Sequence, residues 1–191
     1  MKKTFMTLAA VLCCAMTTTV FTACSSSDDD DNTKKPDQDA PATGVMECTL
    51  YTNDESLASF DFFVKYYDDN GLMQSEKVAW DNQLNNQGLR TWTKKVVAKL
   101  PATLGILFEI KAKDGIDLEG QYRLTSGYNV TFASYTASGK IIDSYTPASS
   151  FESIQNRKGM LEEALKELSN HLNIIYKYDS NGKGAGTSKW E

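Results

Sequence analysis

The chain has 191 residues, 41% of them hydrophobic and 10% aromatic, enough apolar material for a packed core, which excludes disorder along its whole length. A formal net charge of -5 and an isoelectric point near 5.0 exclude broad nucleic-acid binding, which needs a clustered basic surface. Setting aside a leader and a tether of 43 residues leaves about 148, the size of one domain.

Lys2 and Lys3 precede an uncharged, mostly apolar run from Thr4 to Ala23 that ends in small residues, the layout of a cleaved secretory signal over residues 1–23. Four threonines at 17, 18, 19 and 22 make this run a poor transmembrane helix. Residues 24–43, rich in Ser, Asp and Pro, have the composition of an extended, solvated tether. Cys13 and Cys14 leave with the signal, so the mature chain keeps Cys24 and Cys48. Cys48 sits on an apolar strand face with Met46 and Leu50, as a buried, inert thiol would.

The junction Phe21, Thr22, Ala23, Cys24 resembles a bacterial lipobox, with Phe21 where Leu is usual. The resemblance implies that the Cys24 sulfur receives diacylglycerol and that the new amino terminus is acylated by a palmitate-type chain. At about 0.8 kcal/mol per buried methylene, three chains give a stable membrane anchor. Ser27 followed by Asp28, Asp29, Asp30 and Asp31 directly behind it resembles the export signal of Bacteroidetes surface lipoproteins. That resemblance implies attachment to the outer membrane with the body facing the cell exterior.

From residue 44 the pattern changes to period-two alternation, the mark of half-buried strands. Met46, Cys48 and Leu50 share one face, followed by Phe60, Phe62, Val64 and Tyr66, with Asp68, Asp69, Asn70 and Gly71 closing a hairpin onto Leu72–Trp80. Val96, Ala98 and Leu100 lead to Pro101, and Leu104, Ile106, Phe108 and Ile110 form the cleanest apolar face. Tyr128, Val130 and Phe132 turn at Ser138-Gly139 into Ile141 and Ile142. Ser149 with Glu152 matches a capping box, and the spacing of Ile154, Leu161, Leu165, Leu168 and Leu172 predicts an amphipathic helix near residues 150–171. A last strand over 172–178 and a flexible tail over 180–191 complete the domain, with 44–179 as its globular part.

Seven to eight short strands predict a mainly β fold, an antiparallel β-sandwich with one C-terminal amphipathic helix. The alternative is a calycin-like β-barrel plus helix. Residues 93–146 resemble, by pattern, immunoglobulin-like or transthyretin-like modules.

Catalytic chemistry finds little to use. His171 is the only histidine, so any Ser-His or Cys-His arrangement depends on it, and its place at a helix end suits a cation near the helix dipole better. Asp61 and Glu109 fall opposite apolar strand faces, as solvated residues do. Asp68, Asp69 and Asn70, and Asp179 with Asn181, resemble fragments of calcium loops without the spaced ligand set, and are better read as turns. No enzyme, metal or cofactor is expected. Trp80 and Trp92 bracket the polar loop 81–88, which is either a platform for glycans or two core tryptophans beside a loop. The expected function is a non-catalytic surface module for binding a glycan, peptide or protein or for assembly, with a small apolar-ligand or lipid carrier of calycin type as the alternative.

Removing Lys2 and Lys3 brings the mature charge to about -7, of which residues 24–43 hold about -4. The acidity therefore belongs mainly to the tether.

Overall fold

The computed structural model describes residues 37–190. The signal, Cys24 and the segment Ser27, Asp28, Asp29, Asp30 and Asp31 lie outside the described residues. In chain order the elements are β1 (Pro41–Thr52), α1 (Asp54–Ser59), β2 (Phe60–Tyr67), β3 (Met73–Lys77), β4 (Arg90–Lys99), β5 (Ala102–Ala112), β6 (Arg123–Thr136), β7 (Ile141–Tyr145), β8 (Ser150–Gln155), α2 (Leu161–Asn170), β9 (Asn173–Tyr178) and β10 (Gly184–Thr187). The fold is mainly β, with two antiparallel sheets that do not close into a barrel. The first sheet has the order β4-β1-β6-β7, with β8 also paired to β6, and the second has the order β10-β9-β5-β2-β3.

Alternation decides which face each strand buries. Met46, Cys48 and Leu50 of β1, Val130 and Phe132 of β6, Phe62 and Val64 of β2, and Leu104 and Ile106 of β5 are almost wholly buried and belong to one apolar cluster. Phe62 stacks on Phe108 with ring centroids 5.6 Å apart, and Phe132 stacks on Tyr176 at the same separation. The phenylalanines that an apolar-ligand carrier would turn toward its cargo are packed against one another and against tyrosines instead.

One hairpin chemistry recurs. Asp68, Asn85 and Asp179 each accept backbone N–H groups two and four residues ahead on one side-chain oxygen, at 2.8–3.0 Å. Each is followed three residues later by a glycine at positive φ, as at Gly71 (φ 74) and Gly182 (φ 75), which a side chain would strain. These acceptor oxygens are committed to their own turns, the reading that the missing ligand spacing favoured. Among the described residues no group of three or more His, Cys, Asp or Glu could hold a metal ion.

The Leu72 N–H, first among these donors, helps hold the Asp68 carboxyl below the usual carboxylate range. A depressed folded-state pKa contributes stability above the unfolded value, near about 3.9, that is lost as the pH falls through the folded value. The stability difference between the wild type and Asp68→Asn should therefore narrow on acidification below about pH 4. Equilibrium denaturation across pH 2 to 7 checks this, and a constant difference would contradict it.

Four parts of the fold depart from the sequence expectations. The predicted helix over 150–171 is a strand and a shorter helix. Ser150–Gln155 forms β8, with Phe151, Ser153 and Gln155 exposed and Glu152 and Ile154 turned the other way. Gly159, at φ 72, precedes α2, which buries Leu161, Leu165 and Leu168. The capping box does not form; the Ser150 hydroxyl donates to its strand neighbour Glu152 at 3.4 Å. β9 and β10 follow α2, so it is not the C-terminal element.

The segment 180–191, expected as a flexible tail, contains β10 paired to β9. Trp190 stacks on Tyr67 at 5.2 Å and donates its Nε1–H to Asn173 at 2.7 Å. At its other end the fold begins inside the expected tether, because Pro41 and Thr43 already pair with β6.

The unforeseen α1 is capped by Asn53, whose Oδ1 accepts from the Ser56 backbone at 2.9 Å and from the Ser56 hydroxyl at 2.6 Å. The Ser56 Oγ in turn accepts the Thr125 N–H at 2.8 Å, tying α1 to β6.

Cys48 is buried among apolar neighbours, and that burial pushes its thiol up to about 12. A thiol-specific disulfide reagent at pH 8 should leave Cys48 unmodified in the native protein and react fully in denaturant; rapid labelling of the native protein would contradict this placement.

Candidate functional site

The tryptophans do not form a platform. Trp92 is 7% exposed and belongs to the core, while Trp80 packs edge-to-face on Phe62 at 5.3 Å. Of the two uses open to these tryptophans, the structure places Trp92 in the core and Trp80, half-buried, against it. Trp92 lies on the inward face of β4, where alternation with Thr91 and Thr93 puts it.

The site that does form is on the outer face of the first sheet. Strand register places Thr91, Tyr51, Gly127 and Phe151 in one transverse row across β4, β1, β6 and β8. The next outward row is Thr93, Thr49 and Asn129. Pairing of β6 with β8 stops at Tyr128–Ser150 and its pairing with β7 resumes at Phe132–Tyr145. Between them the chain steps aside through residues 146–149, which opens a cleft of about 620 Å³. Tyr51 and Leu89 line one side, with Gln87 from the preceding turn; Tyr128 and Asn129 come from β6, and Ser149 to Phe151 from the other side.

Gly127 makes this geometry possible. A Cβ there would stand 2.7 Å from Phe151 Cδ2 and 2.9 Å from the Ser150 carbonyl oxygen, so only glycine lets the Phe151 ring lie over the strand. Phe151 is 57% exposed. The ring is thus fixed over the strand yet open to solvent, unlike the aromatic rings of the core.

The cleft lining carries no ionisable acid or base other than tyrosine hydroxyls. Burial and the nearby Glu152 charge push Tyr128 above the ordinary tyrosine value, and its hydroxyl donates to the His171 carbonyl at 2.9 Å. The side-chain amides of Gln87 and Asn129 make no hydrogen bond among the described residues. Charged neighbours are closed on themselves. Lys95 pairs with Glu47 at 2.7 Å, and Arg90 pairs with Asp54 at 2.6 Å, holding that carboxyl below its usual range.

No protein-family model, curated protein or solved structure matches this chain. The site's own geometry therefore carries the functional argument.

His171, at the end of α2, has Nδ1 3.5 Å from Glu152 Oε2. Ser150 Oγ bonds the other carboxylate oxygen. The order is Ser–Glu–His, with the carboxylate in the middle, whereas activating a serine needs the imidazole against its hydroxyl. Asp61 pairs with Lys77 at 2.8 Å and Glu109 with Lys65 at 3.0 Å, which makes them members of surface ion pairs. Asp143 accepts the Gly184 N–H at 2.9 Å and ties β7 to β10.

Proposed function

We propose that this chain is an outer-membrane lipoprotein, anchored through Cys24 and exported by Ser27 to Asp31, whose folded body is a non-catalytic recognition module. The cleft bounded by Tyr51 and Phe151 is its binding site.

The observation that carries the reading is the polarity of the fold. The chain enters the first sheet at Pro41, beside the turns at Leu100-Pro101 and Thr136–Lys140. Tyr51 lies ten residues along the same strand, roughly 30 Å away at about 3.3 Å per residue. Pro41, where the chain coming from Cys24 enters the sheet, and the cleft thus lie toward opposite ends of β1. The Ser150–Glu152–His171 order supports binding without catalysis, and the packed phenylalanines weigh against a lipid carrier.

Protease shaving of intact cells tests the address. Replacing Asp28, Asp29, Asp30 and Asp31 together by Ala should strongly reduce cleavage of the body at the cell surface while leaving membrane attachment intact. Unchanged surface cleavage would overturn the export assignment, and Cys24→Ala should release the protein from the membrane fraction.

A further inference from the structure

We propose that the ligand of this cleft is a neutral saccharide chain; this rests on the cleft being the recognition site. Three features of the cleft point to that chemistry together. An exposed ring, Phe151, is fixed over Gly127 and offers an apolar face of the kind that packs on the C–H face of a sugar ring. The free amides of Gln87 and Asn129 each present donors and an acceptor, matching hydroxyl groups that are themselves both. Thr49 and Thr93, in register with Asn129, extend an uncharged hydroxyl surface from the cleft across β1 and β4.

Electrostatics narrows the class. A phosphate, a uronic acid or a nucleotide would need cationic side chains or helix N-termini, and the lining supplies neither. The nearest lysine on this face, Lys95, is held by Glu47. A peptide adding as a strand would pair along the edge of β8 or β4, whereas the exposed groups of the cleft, the Phe151 ring and the two amides, are side chains over β1 and β6, strands already paired to each other.

Affinity electrophoresis of the mature lipoprotein, solubilised in detergent, tests this with gels containing soluble neutral polysaccharides (an α-glucan, a β-glucan, a mannan, a xylan) or charged ones (polygalacturonate, heparin). At least one neutral polymer should retard the wild type, and Phe151→Ala and Asn129→Asp should each weaken that retardation at least tenfold with unchanged thermal unfolding. Both positions are exposed, so neither change is expected to disturb the fold. No retardation by any neutral polymer, or retardation by charged polymers alone, would overturn the saccharide proposal. A peptide library selected on the wild type and counter-selected on Phe151→Ala separates the two failures. Cleft-dependent peptides without saccharide binding overturn the ligand class and leave the cleft standing, whereas no cleft-dependent binding of either kind overturns both.

Discussion

Replacing Phe132 by alanine should destabilise the protein by about 3–5 kcal/mol, the range for removing a large aromatic side chain from a packed core. Phe132 is fully buried in β6, opposite Met46 of β1 and Tyr145 of β7. Its ring stacks on Tyr176 at 5.6 Å and on Tyr145 at 6.4 Å, so it joins the two sheets as well as two neighbouring strands. Truncation removes the transfer energy of the ring and leaves a cavity that the rigid sheet cannot collapse, because the neighbours on both sides are held in ladders. A domain of this kind has about 5–15 kcal/mol of total stability, so the loss is a large share of it. Urea denaturation should show a midpoint lowered by more than about 1 M with an unchanged slope. Tyr145→Ala, at a position 40% exposed, is the comparison and should cost about 1–2 kcal/mol. Equal effects of the two changes would contradict the assignment of Phe132 to the centre of the core.

Gly127→Val should cost about 2–3 kcal/mol and abolish ligand binding, joining the fold to the site. The contact is with backbone as well as side chain: the new Cβ would meet the Ser150 carbonyl at 2.9 Å in addition to Phe151 Cδ2 at 2.7 Å. Rotating the phenylalanine away relieves only one of the two. β8 must therefore move off β6, and because β8 pairs with no other strand among the described residues, the rest of the fold can survive its loss. Amide exchange should accelerate across Ser150–Gln155 while Met46, Leu50 and Val130 stay protected. Combining Gly127→Ala with Phe151→Ala should recover part of the stability lost in Gly127→Ala alone, and full recovery would show that the carbonyl contact does not matter.

The strands with strong alternation were legible in the sequence: β1, β2 and β5, together with the Val130–Phe132 part of β6, each carry enough apolar residues on one face to declare a period. The hairpin at Asp68–Gly71 was legible for a different reason, the turn chemistry of Asn-Gly. What escaped was decided by neighbours distant in sequence. β8 has only Phe151 and Ile154 to mark it, on opposite faces, and its Ser149 and Glu152 fit the spacing of a helix cap; the edge of β6 makes it a strand. β10, Gly184-Ala185-Gly186-Thr187, has no apolar pattern. It fits because a side chain at 184 would overlap the Tyr176 ring, with its Cβ 2.0 Å from Cε1. The cleft was invisible because Tyr51, Gln87, Asn129 and Phe151 come from four separate segments, whereas Trp92 is placed in the core by the alternation of its own strand.

Ligand should bind across the outer face of the first sheet, at the end remote from Pro41. Chemical-shift mapping of the isotopically labelled mature protein, titrated with the neutral oligosaccharide of the polymer it binds, tests it most directly. The account predicts that amide resonances of Thr49, Tyr51, Gln87, Asn129 and Phe151 shift together, with those of Asp68–Leu72 and Asp179–Lys183 unmoved. Shifts confined to those turns, or spread through the second sheet with Phe151 unaffected, would contradict it.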